Sequence, residues 1–377
     1  MQLRELLAAH NSYRDPALEK AVFTPDEVWE ALPADKKKVG ASAENRPLYQ
    51  LERGTGPTTV LLWTQMHGNE PTATLAVLDV LRFLAAKDTD FDAVRSLILD
   101  RLRLRFLPVI NPDGVWRNQR RTAWHIDPNR DFRAVTSPEA AFLRQQGENF
   151  RPDWGFNLHD QNRYHSVGKT EVPPTLTFLA PPPAPTPPES ERYHNYEDAQ
   201  RLLAHLITAL EPLLGGKMSR YDDTFEPRAF GDNFQRIGIR TLLFEGGFIP
   251  NDPERQRLRG YYFTALVGAL YAIATMTFRH TDTSAYHQLP PNESYFFDLI
   301  LQDLEIATPA TSFRTDVGLK QLYKDVWEIT DIGDLSDYHG HESWIRHQLN
   351  TTAYPLVPEQ RGKVWREGHT VFFEPLG

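Results

Sequence analysis

The 377-residue sequence contains no cysteine. Disulfides, thiolate metal sites and cysteine nucleophiles are excluded together. Any metal ion would have to draw on histidine, aspartate and glutamate. Long apolar runs are missing too. No stretch of ~18 consecutive apolar residues offers a membrane span. The opening "MQLRELLAAHNSYRDPALEK" lacks the apolar core of a secretory signal. No membrane partner and a cytoplasmic location are therefore expected. Positive charge is also short: Lys and Arg total 41 against 50 Asp and Glu, a net charge of −9. The acidic excess is spread along the chain, which argues against nucleic acid as a partner. What remains is an ordinary globular composition, 40% apolar and 24% charged. The length suits one large domain plus a small one, or two middling ones.

Apolar runs alternate with helical patterns through most of the chain. "RPLYQLER" and "TTVLLWTQM" read as strands around the turn signal "GTGP". A helix is expected from about Pro71 to Ala86, because Leu75, Leu78 and Leu81 share one face. "LRLRFLPVI" reads as a strand that ends in the turn "NPDG". Ser137 suits the N-cap of a helix over "PEAAFLRQQGENF". "DWGFNLHDQ" and "GIRTLLFEGGF" read as further buried strands. "NYEDAQRLLAHLITALEPLL" and "PERQRLRGYYFTALVGALYAIATM" read as helices. "PPPAPTPPES" is a proline-rich surface loop. This alternation implies an α/β sheet covered by helices. The character changes after residue 280, where short β-like runs follow one another. The expected division is residues 1–280 as the main domain and 281–377 as a small β-rich one.

Polar residues gather where the strands end. His67 and Glu70 follow "LLWTQM", His159 ends "FNLHD" and Glu245 ends "TLLFE". The carboxyl ends of strands in an α/β sheet are where ligands bind. Two histidines and a carboxylate make a three-ligand zinc site with a fourth position open. A glutamate nearby that is not a ligand can accept a proton from water. The set is therefore His67, Glu70 and His159 as ligands of one Zn2+ ion, with Glu245 as base. His125, His165 and His194 compete with His159, but only His159 follows a strand. Asp160 is given no role and reads as a solvated charge.

Taken together, "VGASAENRPLYQLERG", "HGNE", "NPDGVWRNQRRTAWHIDPNRDF", "NLHD" and "LLFEGG" resemble the zinc carboxypeptidase family, in order, over roughly residues 35 to 275. The resemblance implies a mixed central sheet with helices on both faces. It implies a metallopeptidase that hydrolyses the C-terminal amide bond of peptides. By resemblance, Arg120 stabilises the oxyanion, with Arg117 and Arg121 as neighbours of the same type. Asn129 and Arg130 resemble the pair that grips a substrate's terminal carboxylate. Asp127 resembles the acid that orients a zinc histidine. Tyr221 resembles a tyrosine that covers the substrate's end. The expected partner is a peptide or small amide with a free carboxylate; the sequence does not fix the oligomeric state. A second branch also shares an H-x-x-E and a late glutamate. It comprises deacylases of N-acyl amino acids similar to aspartoacylase and succinylglutamate desuccinylase.

Overall fold

The computed structural model describes residues 1–87, 90–184, 190–351 and 355–376. Part of the proline-rich loop, residues 185–189, lies outside the described residues. The chain forms two compact units, residues 1–162 with 174–292, and residues 163–173 with 293–377. A cut after residue 280 differs from this in two ways. Tyr286 is buried in the core of the first unit, which carries that unit on to residue 292. Arg163 and Tyr164 bond to Asp298, which brings residues 163–173 into the second unit.

The first unit is built on an eight-stranded mixed sheet. In chain order its strands are β1 (Lys37–Ala41), β2 (Pro47–Arg53), β3 (Thr58–Thr64), β4 (Leu102–Leu107) and β5 (Trp154–Asp160). A two-residue strand, β6 (Ser166–Val167), comes next in the chain, outside this sheet. The sheet resumes with β7 (Leu176–Leu179), β8 (Met218–Arg220) and β9 (Arg240–Gly246). The spatial order is β1-β2-β4-β3-β5-β9-β7-β8. The four central strands β4, β3, β5 and β9 run parallel. Their carboxyl ends therefore share one edge.

The helices are α1 (Leu3–Ala9), α2 (Pro25–Ala31), α3 (Thr72–Ala85), α4 (Asp92–Arg101), α5 (Pro112–Trp116), α6 (Pro138–Phe150), α7 (Glu191–Leu214), α8 (Phe230–Arg236), α9 (Gln256–Thr275) and α10 (Ser284–His287). They cover both faces. Side chains alternate across a strand, so β3 sends Val60 and Leu62 into a core shared with α3, α7 and α9. Leu61 and Trp63 enter a second core with α6 and α8. This two-sided burial explains why β3 reads as an unbroken apolar run.

The "NPDG" stretch is not a plain turn. It opens the short helix α5, with Asn111 as N-cap accepting the Gly114 N–H at 2.9 Å. Pro112 takes the first helical position, where its missing N–H has no cost. Ser137 caps α6 as expected, accepting the Ala140 N–H. The strand β1 and the short strands β7 and β8 were not expected. Each is short, and burial along β1 is slight.

The second unit is β-rich. After the two-residue strand β10 (Asn292–Glu293) come β11 (Phe296–Ala307), β12 (Ser312–Tyr323), β13 (Val326–Gly333), β14 (His339–Ile345), β15 (Gln348–Thr351), β16 (Arg361–Glu367) and β17 (Thr370–Pro375). Pairing of β11 with β12 closes β12, β13, β16, β17, β15 and β11 into a ring, with β14 beside β11. Leu299, Leu301, Leu304, Val317, Leu319, Ile329 and Phe373 fill its interior.

Candidate active site

His67 lies three residues beyond β3, and Glu70 sits two residues before α3 begins. A turn joins them, with the Glu70 N–H donating to the His67 carbonyl at 3.2 Å. Gly68 between them packs on the backbone of α5: a Cβ there would come within 1.9 Å of the Gly114 carbonyl carbon. Asn111 Nδ2 donates to the Met66 carbonyl at 3.1 Å. "HGNE" and "NPDG" are thus two halves of one interlocked support. His159, next to last in β5, is in register with Glu245 on β9.

The three candidate ligands converge. His67 Nδ1 lies 2.7 Å from Glu70 Oε1, and His159 Nδ1 lies 2.8 Å from Glu70 Oε2. One donor atom from each of the three lies within 4.8 Å of the other two, and all three residues are buried. Asp127 Oδ1 takes the far nitrogen of His67, Nε2, at 3.1 Å. That bond fixes the ring so that its Nδ1 lone pair faces Glu70, as a metal ligand requires. Two imidazole nitrogens and a carboxylate fit the donor preference of zinc. Among the described residues this is the one such group.

Charges in the cluster act strongly on one another. Burial pushes the Glu70 carboxyl up, but the His67 and His159 charges and hydrogen bonds outweigh it and hold the acid far below the usual range. Burial lowers the His159 imidazole against the pull of Glu70. Glu245 is raised well above the ordinary carboxylate range, first by burial and then by the charges of Glu70 and Asp160. Its Oε2 is buried and accepts no hydrogen bond from any described residue. The Glu245 charge, and burial after it, push the Tyr221 phenol up to about 12. Tyr221 is therefore a protonated phenol at neutral pH.

Of the three arginines after "NPDG", Arg120 reaches the cluster. Its NH1 lies 3.1 Å from His67 Nδ1 and 3.3 Å from Glu70 Oε1, and its Nε donates to Asp127 Oδ2 at 3.0 Å. Arg117 pairs with Glu44, and Arg121 donates to the His125 carbonyl. Asn129 is buried and engaged. Its Oδ1 accepts the Phe230 N–H at 3.0 Å, and its Nδ2 lies 3.5 Å from His159 Nε2. Arg130 is half-exposed, and its Nε lies 3.3 Å from Glu226 Oε2. Arg228 also holds Glu226, through bonds of 2.9 and 2.7 Å.

Two residues of the site escape a reading of the sequence. Asp160 is buried rather than solvated: its Oδ2 accepts the Thr72 N–H at 2.9 Å, and its own N–H donates to Glu70 Oε2 at 3.2 Å. The signal was its position beside a ligand at the end of a wholly buried strand. Glu226 carries no such signal: Arg228 lies two residues away in the chain, but Arg130 becomes its neighbour only through the fold.

Comparisons with known proteins agree with this architecture. Residues 32–162 match the model of the zinc carboxypeptidase family. Carboxypeptidase 2 of Trichophyton rubrum is 31% identical over 101 residues, covering 26% of this chain and 18% of that protein. The chain thus spans about a fifth of the length of the curated relatives it matches. A metallo-carboxypeptidase from Burkholderia cenocepacia superposes with a TM-score of 0.54 at 18% identity, covering 69% of this chain and 71% of that one. Thrombin activatable fibrinolysis inhibitor superposes with a TM-score of 0.52 at 14% identity, covering 74% and 81%. The resemblance read from the sequence is borne out: residues 32–162 match the zinc carboxypeptidase model, and the fold is similar to that of solved metallo-carboxypeptidases. His67, Glu70 and His159 form a possible site for its metal. Among the described residues no helix is long and apolar enough to cross a membrane.

Proposed function

We propose that this protein is a zinc-dependent carboxypeptidase that hydrolyses the C-terminal amide bond of peptides, with Glu245 as general base. The observation that carries the reading is the convergence of His67, Glu70 and His159 opposite a buried glutamate with an unpartnered oxygen. Zinc held by these three side chains would lower the pKa of a bound water toward ~7 and polarise the substrate carbonyl.

The chain's own residues do the rest. Glu245 accepts the proton of the attacking water and returns it to the leaving amine. Arg120 brings a guanidinium to the edge of the ligand set, where negative charge grows on the carbonyl oxygen. Asp127 orients His67, and Asn129 braces His159 against the segment that carries Phe230. Arg130 receives the terminal carboxylate of the substrate, which restricts cleavage to the last bond. Tyr221, held protonated beside Glu245, donates a hydrogen bond to the bound terminus. The net charge of −9 supports a small substrate rather than nucleic acid.

Product mass spectrometry on zinc-loaded protein tests the reading. Substrates are free-acid peptides, their C-terminally amidated copies and N-acyl amino acids. Loss of single terminal residues from the free acids alone is expected. Cleavage confined to N-acyl amino acids would replace the peptidase reading with a deacylase one.

A further inference from the structure

One side chain ties together the three elements that carry the ligands and the base, yet it belongs to none of the motifs. Arg255 precedes α9. Its Nε donates to Thr72 Oγ1 at 2.6 Å. Its NH2 group donates to the carbonyls of Gly246 and Gly247, at 3.2 and 3.1 Å. The same group lies 3.1 Å from Asp160 Oδ1. Thr72 opens α3 just after Glu70, Gly246 follows Glu245 on β9, and Asp160 follows His159 on β5. Asp160 completes the brace through its bonds to Thr72 and Glu70.

Two further observations set Arg255 apart from an ordinary helix start. It has φ of 55°, a left-handed conformation that L residues seldom adopt, and its side chain makes no capping bond to α9. The surrounding contacts hold it there and turn the guanidinium toward the site. The joint is also tight: a Cβ on Gly246 would come within 2.2 Å of Asp160 Oδ1.

We propose that Arg255 is a positioning residue, whose guanidinium fixes Glu245 relative to His159 and Glu70 by clamping the ends of β9 and β5 to the start of α3. The inference rests on the zinc hydrolase reading. Arg255 acts through its partners and touches neither substrate nor reacting atoms. A guanidinium is required because its donors sit on separate nitrogens of a planar fork and reach acceptors on different elements, whereas a lysine ammonium carries all its donors on one atom.

The test uses the full chain, zinc-loaded, as wild type, Arg255→Ala and Arg255→Lys. Four quantities are read: kcat and KM on free-acid peptides, the zinc dissociation constant by chelator competition, the thermal midpoint, and activity with millimolar guanidinium added. Both variants are expected to lose ~10–100-fold in kcat with little change in KM, and to bind zinc several-fold more weakly. Added guanidinium should restore part of the Arg255→Ala activity, because the arginine side chain is 21% exposed and its vacated place can be reached. A merely structural loss would follow the thermal midpoint and would not be rescued. The proposal is overturned if folded variants keep wild-type kcat, or if the loss is not rescued. If the wild type cleaves neither peptides nor N-acyl amino acids, the functional reading has failed on its own. The zinc constant then decides the positioning role: an unchanged value in both variants sinks it. If Arg255→Ala does not fold, the Arg255→Lys values decide in the same way.

Discussion

The first unit holds two buried clusters of charge, and they are built to opposite ends. One joins Asp79, Arg259 and His10. Arg259 forks onto Asp79 with bonds of 2.7 and 2.6 Å, and His10 Nε2 meets Asp79 Oδ2 at 2.8 Å. Arg259 also donates to the Leu18 carbonyl, and the Asp15 N–H donates to Asp79 Oδ1. Among the described residues, no buried atom of these three side chains lacks a partner. The other cluster gathers the carboxylates of Glu70, Asp127, Asp160 and Glu245 around the guanidiniums of Arg120 and Arg255. Acids outnumber guanidiniums there, and Glu245 Oε2 is unpartnered. The closed cluster fastens the N-terminal segment to α3 and α9. The open one has the charge deficit that a divalent cation fills, and burial without full pairing is affordable only where a ligand completes it.

Breaking the open cluster at its base should have the largest effect. Glu245→Gln is expected to lower kcat by ~10²–10⁴-fold while zinc content, measured by atomic absorption, stays at the wild-type value. Its thermal midpoint should not fall, because a neutral amide replaces a buried unpaired acid. Full activity in this variant would place the base elsewhere.

Breaking the closed cluster should do the reverse. Arg259→Met leaves Asp79 buried without its guanidinium, held only by His10 and the Asp15 N–H, and should destabilise the protein by about 3–5 kcal/mol in denaturant unfolding. Zinc binding by the fraction that remains folded should be unchanged. Adding Asp79→Leu should recover most of the loss, and failure to do so would mean the pair is not the source.

A partly buried acid outside both clusters, Asp232, sharpens the contrast through pH. Burial pushes Asp232 up to about 6 from an ordinary 3.8. The folded chain therefore keeps this proton at pH values where the unfolded chain has lost it. Stability should fall as pH rises from about 4 to 6, by on the order of 2 kcal/mol from this group. Asp232→Asn should flatten that part of the pH–stability curve. An identical slope in the variant would show that Asp232 is not responsible.

The smallest effect concerns the half-exposed rim. Glu226 holds Arg130 and must share it with an incoming carboxylate. Glu226→Gln should lower KM for free-acid peptides by about two- to five-fold, as the loss of one exposed ion pair allows, with kcat unchanged. A raised KM would mean that Glu226 contacts the substrate instead.

Much of this was legible in the sequence, for reasons that the residues make plain. β3, β5 and β9 are buried on both faces, so their apolar runs are unbroken and their polar ends stand out. His67, Glu70, His159 and Glu245 are recognisable because each interrupts such a run. What could not be read depends on chain segments meeting. Asp160 looks solvated until Arg255, far along the chain, is brought against it. Only the resemblance set Arg120 apart from Arg117 and Arg121; in the fold, Glu44 and the His125 carbonyl claim those two. The strand β1 has little burial to mark it, and the second unit's ring depends on parallel pairings of β15 with β11 and β17 that no local pattern encodes.

The Asp79–Arg259 pair also sets an order in time. Its partners are 180 residues apart, so at ~5–20 residues per second a ribosome makes Asp79 roughly 10–40 s before the arginine that neutralises it. His67 and Glu70 are made in that early part, and His159 follows within the wait. Glu245, Arg255 and Arg259 arrive almost together at its end. On the proposed function, the nascent chain thus carries His67, Glu70 and His159 for some time before Glu245 arrives, and the set is complete only once β9 has been made.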